Sequence, residues 1–199
     1  MGLWTTLVQS PTLICVRRPR GKTNVLGCNF RSVKLIMDSD VLIKFAKTSL
    51  KETTSLALTI SIPRGVLVEC VDQGKEAGFP DALKIEENIR QKRIAVQAPR
   101  RSQATDPIVR DLRLARGEGE VLLLFRSGGF DAVASDDRRF LQTLDALRIP
   151  FVTSSSLLIF MVRAKYVDAR QALIDLERLA EFIGENEYLV TRNALEGMG

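Results

Sequence analysis

Histidine is absent from all 199 residues of the chain. Its absence excludes a Ser-His-Asp triad, a histidine general base and a histidine-ligated metal. Cysteine is scarce as well: three cysteines without regular spacing argue against both a disulfide framework and a zinc site. Any catalysis by this chain must therefore depend on carboxylates.

Long apolar runs are also missing from the sequence. No run approaches the roughly 20 residues needed to cross a bilayer, although 45% of the residues are apolar and 27% are charged. This balance predicts a soluble globular protein with a core large enough for one α/β domain. We expect no membrane partner, reduced thiols and a cytoplasmic location.

Acidic residues are absent from the first 37 positions, which carry six basic residues. The formal charge of +5 belongs to this stretch, because the rest of the chain has 23 basic and 24 acidic residues. Prolines, glycines and the lack of a sustained hydrophobic period predict a basic, disordered leader over residues 1–32. Two origins of the leader stay open, an organellar transit peptide and a start codon assigned too early.

Strand and helix patterns alternate through the rest of the chain. They predict an α/β fold, a three-layer sandwich with a central, mostly parallel sheet. The expected strands are 35–37, 56–62, 93–98, 132–135 and 151–153. The expected helices are 41–46, one that follows Pro63, 81–91, 117–126, 138–147, 154–165 and 169–182. We divide the chain into the leader, a main domain over 33–165, and C-terminal helices over 166–199 that pack on the same domain.

Acidic side chains follow the first predicted strand directly. Asp38 and Asp40, with Ser39 between them, come straight after the buried run 35–37. A carboxylate at the end of a buried strand is costly unless helix amides or a bound cation compensate its charge. Glu69 flanks the apolar stripe of the helix that follows the second strand. More than one acid therefore belongs to this region of the fold.

Two further groups of acids occur in the second half of the chain. Glu118 lies in the first turn of a predicted helix, in line with its apolar stripe, whereas Glu120 points the other way. Asp136 and Asp137 follow the fourth predicted strand, in the same kind of position as Asp38. Taken singly, Glu118 and the two aspartates have a purely structural alternative as helix-capping residues.

Together these acids support a stronger hypothesis, because ligands bind at the carboxyl ends of the strands in an open α/β sheet. Converging carboxylates repel one another and stay ionised together only around a divalent cation. Oxygen ligands without nitrogen or sulfur favour Mg²⁺ or Mn²⁺ over zinc, and such a site activates water for attack on a phosphodiester. The predicted catalytic residues are Asp38, Glu69, Glu118 and Asp137, and the predicted metal ligands are Asp38, Glu118, Asp136 and Asp137.

Four segments, in this order, carry a resemblance to a known family. They read Leu-Ile-Met-Asp-Ser-Asp-Val-Leu-Ile, Val-Leu-Val-Glu-Cys-Val, Gly-Glu-Gly-Glu-Val-Leu-Leu-Leu and Val-Ala-Ser-Asp-Asp-Arg-Arg-Phe. Over about 33–165 the chain resembles the PIN-domain family. By position, Asp38, Glu69, Glu118 and Asp137 match the first to fourth family acids, and Asp40 stands where the family often has Asn or Ser.

The resemblance implies an activity and a set of partners. It implies a Mg²⁺- or Mn²⁺-dependent endoribonuclease, often the toxin of a toxin-antitoxin pair and often a homodimer. The expected partners are therefore single-stranded or structured RNA, an antitoxin protein and a second copy of the chain.

Two other readings of the same residues stay open. The segment Asp38-Ser39-Asp40-Val41 fits the Asp-x-Asp nucleophile motif of haloacid dehalogenase-like phosphatases, in which Asp38 attacks phosphorus and Asp40 acts as acid and base. That reading leaves Glu69 and Glu118 without a role. The other reading is a non-catalytic PIN-fold binding module in which the acids only cap helices.

Positive charge for RNA is concentrated in one part of the main domain. Residues 84–116 contain nine basic and four acidic residues, which fits either an edge that tracks phosphates or a solvated surface. Aromatic residues make up only 6% of the chain, so base stacking should contribute little sequence choice.

The first prediction concerns the leader. Deleting residues 1–31 should leave the melting temperature and any metal-dependent activity nearly unchanged, because the leader adds charge but no patterned core. Differential scanning calorimetry of the full and shortened chains measures this directly. A drop of several degrees would show that the leader packs on the domain.

Overall fold

The computed structural model describes residues 33–48, 50, 58–99, 112 and 114–199. The predicted leader lies outside the described residues, as do most of the positions between 100 and 113. Four of the nine basic residues in the region 84–116 fall in that second gap.

A five-stranded sheet forms the centre of the fold, and all of its neighbouring strands run parallel. Its strands are β1 Val33–Met37, β2 Leu58–Ile62, β3 Ile94–Val96, β4 Ala132–Ala134 and β5 Phe151–Val152. The spatial order is β3-β2-β1-β4-β5. The predicted α/β class is confirmed, and every strand lies within or overlaps its predicted range.

Strand β1 lies in the middle of the sheet and is covered on both faces. Leu35, Ile36 and Met37 all have no exposed surface, although successive side chains of a strand point to opposite faces. Helices must therefore cover both sides, as expected for a parallel sheet whose strands read as continuous apolar runs.

Helices occupy the connections between strands. The first half contains α1 Ser39–Thr48, α2 Arg64–Leu67, a π-helix Val68–Gln73, α3 Gly74–Glu76 and α4 Pro80–Arg90. The second half contains α5 Arg116–Arg126, α6 Arg138–Ala146, α7 Ser154–Arg163, α8 Ala169–Leu179, a 3-10 turn Ala180–Phe182 and α9 Glu185–Glu196.

The first helical region is continuous from its start at Pro63. Pro63 is the N-cap of α2, and the chain continues through Gly74 from the π-helix into α3. The turn comes at Gly78, whose φ of 76° is the left-handed conformation that glycine adopts at little cost.

The order of the strands reverses direction between β1 and β4. From β1 the chain moves to one side through β2 and β3, and it then returns to form β4 and β5 on the other side. In open α/β sheets such a reversal places a binding crevice at the carboxyl ends of the two central strands. These ends are joined here by a hydrogen bond of 2.9 Å from the Asp38 amide to the Ala134 carbonyl.

The C-terminal helices share the main core. Leu176 and Leu179 of α8 and Leu195 of α9 are fully buried and belong to the same apolar cluster as the strands. Helices α8 and α9 contact each other and α7. In the described part of the chain, no helix combines the length and the apolar character that crossing a membrane requires.

Candidate functional site

Asp38 is the most buried acid at the crevice, with 6% of its surface exposed. It follows the last residue of β1, and its Oδ1 accepts a hydrogen bond of 2.8 Å from the amide of Ser39 at the start of α1. Its Oδ2 accepts one of 2.9 Å from the hydroxyl of Ser135, just after β4. Burial raises the pKa of Asp38 to about 6, and the charges of Glu118 and Glu69 add to the increase. The hydrogen bonds from both serines act in the opposite direction.

Glu69 is carried by the π-helix that follows α2. π-Helical turns within α-helices are rare and frequently occur at functional sites. The Glu69 carboxylate accepts a hydrogen bond from the Ser39 hydroxyl. It also lies against Gly117 of α5, where a Cβ would come within 2.8 Å of both carboxylate oxygens. The absence of a side chain at Gly117 therefore makes room for the Glu69 carboxylate.

Glu118 lies in the first turn of α5 and is half-buried. Its Oε2 accepts a hydrogen bond of 3.0 Å from the amide of Ala115, so it satisfies an amide at the helix start, as the capping alternative predicts. Its charge still contributes to the raised pKa of Asp38. Glu118 therefore combines a local structural contact with a position near the buried aspartate.

Glu120 has different partners from Glu118. Its Oε2 accepts a hydrogen bond of 2.6 Å from the amide of Gly65 in α2, and its side chain is 21% exposed. Arg116 pairs with its other oxygen at 3.2 Å. The helical register placed Glu120 off the apolar stripe, but the amide at the start of α2 draws the side chain into the contact between the two helices.

The two aspartates after β4 have different surroundings. Asp137 is exposed and forms the N-cap of α6, where its Oδ1 accepts a hydrogen bond of 2.8 Å from the Phe140 amide. Asp136 has only 6% of its side chain exposed. Its oxygens accept hydrogen bonds from the amide and hydroxyl of Ser154 and from Lys44. The capping alternative is thus observed for Asp137, and the predicted ligand roles of both aspartates stay predictions.

The structure therefore brings three of the predicted catalytic acids, Asp38, Glu69 and Glu118, into one electrostatic environment. Within the described ranges, no three histidine, cysteine, aspartate or glutamate side chains are close enough to enclose a metal ion. The expected four-carboxylate cage is thus not assembled in these side-chain positions. The donor chemistry nevertheless fits a hard divalent cation, because Asp38, Glu69 and Glu118 supply only oxygen.

A protein-family model matches most of the chain. The family model DUF3368, described as a PIN domain, matches residues 34–193. The chain belongs to the PIN-domain family. PIN domains are generally nucleases and typically use divalent metals. No curated protein matches the chain significantly, and no solved structure does.

Two serines of this PIN domain that donate to the predicted acids were not identified from the sequence. Ser39 donates to Asp38 through its amide and to Glu69 through its hydroxyl, so it joins two of the predicted acids. Ser135 is fully buried and donates to Asp38. Both serines stand next to acids at the ends of strands in the sequence, and that adjacency is the signal that would have found them.

Two charged residues, Lys44 and Glu187, were also not identified from the sequence. The sequence pattern around them indicates their contacts less clearly. Lys44 interrupts an apolar helix face four residues after Asp40, with which it pairs at 2.9 Å. Glu187 comes from α9 and accepts a hydrogen bond from Ser155. Burial raises the pKa of Glu187, and the nearby charge of Asp136 raises it further. Nothing in the sequence near Glu187 indicates that it reaches this end of the sheet.

Exposed arginines lie at the starts of three helices at the carboxyl edge of the sheet in this PIN domain. Arg64 begins α2 and Arg116 begins α5, with 64% and 74% of their side chains exposed. Arg138 and Arg139 open α6, directly after Asp137, and both are exposed. By contrast, the segment 92–93 of the predicted basic region precedes β3, so it lies at the opposite, amino edge of the parallel sheet.

Replacing Asp38 should change how the stability of this PIN domain depends on pH. Because the folded pKa of about 6 exceeds the ordinary value of 3.8, the contribution of Asp38 to stability is greatest below pH 4 and is lost as the pH rises through 6. Asp38→Asn removes this loss, and its advantage over wild type should grow by roughly 2 to 3 kcal/mol between pH 4 and pH 7. Urea unfolding in EDTA at several pH values measures the difference, and a constant difference across this range would contradict the expectation.

Proposed function

We propose that this PIN domain is a Mg²⁺- or Mn²⁺-dependent endoribonuclease that hydrolyses phosphodiester bonds of single-stranded RNA. The observation that carries the proposal is the nearly buried Asp38 at the crevice between β1 and β4, flanked by the charges of Glu69 and Glu118. Unneutralised carboxylates at the carboxyl edge of a parallel sheet are suited to a hard cation. Membership of a family of nucleases supports the same reading.

The roles of the individual residues follow from their contacts. Asp38, Glu69 and Glu118 would hold the cation, which would polarise the phosphate and lower the pKa of an attacking water. Ser39 orients two of these acids at once, since it bonds to both Asp38 and Glu69. Ser135 fixes the second oxygen of Asp38 from the neighbouring strand. Asp137 is proposed as the fourth acid, from its position at the start of α6.

RNA is proposed as the substrate because exposed arginines begin three of the helices at the carboxyl edge of the sheet. The exposed arginines at the starts of α2, α5 and α6 are placed to contact phosphates on either side of the scissile bond. Arginine binds phosphate through a planar fork of donors. These arginines, Arg64, Arg116, Arg138 and Arg139, form what we call the arginine rim. The rim would thus bind the phosphates of a polyanion, while the acids remain available for the reaction at the centre.

A phosphatase with Asp38 as nucleophile fits the contacts less well. In that mechanism Asp40 would act as acid and base, but its carboxylate pairs with Lys44 and its side chain is half exposed. A non-catalytic binding module remains the main alternative, because Glu118 and Asp137 do cap helices. Metal-dependent cleavage separates the enzyme from the binding module, and a covalent aspartyl-phosphate would identify the phosphatase.

The biological setting follows as part of the same proposal. We infer a cytoplasmic enzyme that acts as the toxin of a toxin-antitoxin pair, is neutralised by an antitoxin protein and assembles as a homodimer. These inferences depend on the family resemblance. A small DNA-binding protein encoded immediately upstream would support them.

Cleavage should depend on both the metal and the acids. The purified chain should cut single-stranded RNA with Mg²⁺ or Mn²⁺ and lose this activity in EDTA. Asp38→Asn, Glu118→Gln and Asp137→Asn should each lower the rate by roughly 100-fold or more, because each removes a charge that would hold the cation.

The matched control for these variants is Glu120→Gln, on the same helix turn as Glu118. Glutamine keeps an oxygen acceptor for the Gly65 amide, so the rate should stay near that of wild type. Single-turnover assays with an end-labelled RNA measure the rates. Wild-type cleavage by the Asp38→Asn and Glu118→Gln variants would replace the carboxylate mechanism with the capping interpretation.

The arginine rim should control RNA affinity. In an Asp38→Asn background, which keeps the RNA intact, Arg138→Gln with Arg139→Gln should weaken binding. The double change should also reduce the salt slope by about 1.4, since each phosphate contact to a single strand contributes about 0.7.

The control pair for the rim is Lys92→Gln with Arg93→Gln, which removes the same charge at the opposite edge of the sheet. It should leave both affinity and salt slope unchanged. Fluorescence anisotropy at several salt concentrations compares the pairs. Equal effects of the two pairs would show that net charge, and not the rim, binds the RNA.

A further inference from the structure

A second charged cluster lies beside the proposed catalytic acids. We call it the Lys44 network, and it consists of Lys44, Asp40, Asp136, Ser154, Ser155 and Glu187. It joins α1, the turn after β4, the start of α7 and the C-terminal helix α9. The role proposed above for Asp38, Glu69 and Glu118 makes no use of it.

Lys44 is the positive charge at the centre of this network. Its Nζ lies 2.7 Å from Asp136 Oδ2 and 2.9 Å from Asp40 Oδ2, and only 13% of its side chain is exposed. Removing an ammonium group from water is costly unless carboxylates compensate it. The two contacts provide that compensation, and Glu187 adds a third negative charge nearby.

Asp136 has little capacity left to bind a metal. Its Oδ1 accepts a hydrogen bond of 2.8 Å from the Ser154 amide, and its Oδ2 accepts one of 2.7 Å from the Ser154 hydroxyl in addition to Lys44. A carboxylate offers about four acceptor positions. Three of them are therefore taken by donors that are themselves buried or nearly so. Turning Asp136 toward Asp38 would break all three bonds.

Neighbouring metal ions in two-metal sites lie about 3.5 to 4 Å apart and need carboxylates that face both ions. Asp136, although it follows the strand adjacent to Asp38, faces an ammonium group and a serine instead. We propose that Lys44 is a fixed internal cation that keeps Asp136 out of the ligand set and limits this site to a single divalent ion. The inference rests on the proposed function, because it specifies the stoichiometry of the same site.

The test counts bound ions directly. The full, EDTA-stripped chain is titrated with Mn²⁺, and free Mn²⁺ is followed by electron paramagnetic resonance. Wild type should bind one ion per chain, Asp38→Asn should lose binding, and Asp136→Asn should retain it with unchanged affinity. Two ions bound to wild type, or loss of binding in Asp136→Asn, would overturn the inference.

Lys44 itself is tested by two variants. Lys44→Gln leaves the neighbouring acids without their counter-ion, so the variant should bind a second Mn²⁺ and gain more in melting temperature from Mn²⁺ than wild type does. Lys44→Arg keeps the charge and should bind one ion. A single ion bound to folded Lys44→Gln would overturn the inference.

Two further outcomes are distinguishable. If Lys44→Gln does not fold, the charge-balanced double variant Lys44→Gln with Asp136→Asn replaces it. That variant should fold and bind one ion, and loss of Mn²⁺ binding in it would count against the inference. If wild type binds no Mn²⁺ at all, the proposed function loses its cation and the inference fails with it, whereas two ions would leave the proposed function intact.

Discussion

A carboxylate held almost out of water is the constraint on which the site depends. Asp38 comes directly after the central strand, where both neighbouring strands and the covering helices exclude solvent. Ionisation at such a place is unfavourable unless donors or a cation compensate it. The amide of Ser39 and the hydroxyl of Ser135 supply part of this compensation. Burial nevertheless keeps the pKa of Asp38 above its ordinary value, so these donors compensate its charge only in part.

Two glycines, Gly65 and Gly117, allow α2 and α5 to approach closely beside the acidic side chains. At Gly65 in α2 a Cβ would lie 3.1 Å from the Glu120 carboxylate and 3.2 Å from the Cα of Gly117. A side chain at Gly65 would therefore crowd α5, and one at Gly117 would collide with the Glu69 carboxylate. With both glycines in place, Glu69 packs beside Gly117 while Glu118 stays in the first turn of α5. The close packing of the backbone at these glycines therefore also affects where the acidic side chains of this PIN domain lie.

Two adjacent groups of acids receive different counter-charges. Asp38 and Glu69 accept hydrogen bonds from serines and Glu118 accepts one from the Ala115 amide, whereas Asp136 and Asp40 share the ammonium group of Lys44. An acidic region that was neutralised throughout by lysines would not attract a metal ion, and one without any internal cation would be strongly self-repelling. This difference in counter-charge leaves the uncompensated negative charge at the crevice between β1 and β4. Ligands of parallel α/β sheets bind at this position.

The sequence by itself determined the order of strands and helices, the α/β class and the position of Asp38, because these depend on local periodicity and on the polarity at strand ends. It also placed Glu69 and Glu118 near that edge. It did not determine the contacts of individual carboxylates. The helical register of Glu120 placed it off the apolar stripe, but nothing in the sequence indicated that an amide of another helix, 55 positions earlier in the chain, binds it.

The Lys44 network shows the same limit more clearly. Lys44 and Asp136 are 92 positions apart, and Ser155 and Glu187 are 32 apart. No periodicity within one helix or strand contains information about such pairs. Only the order of the strands and the packing of α9 brought these groups to one edge of the sheet, because a buried charge accepts whichever partner the folded chain places within hydrogen-bond distance.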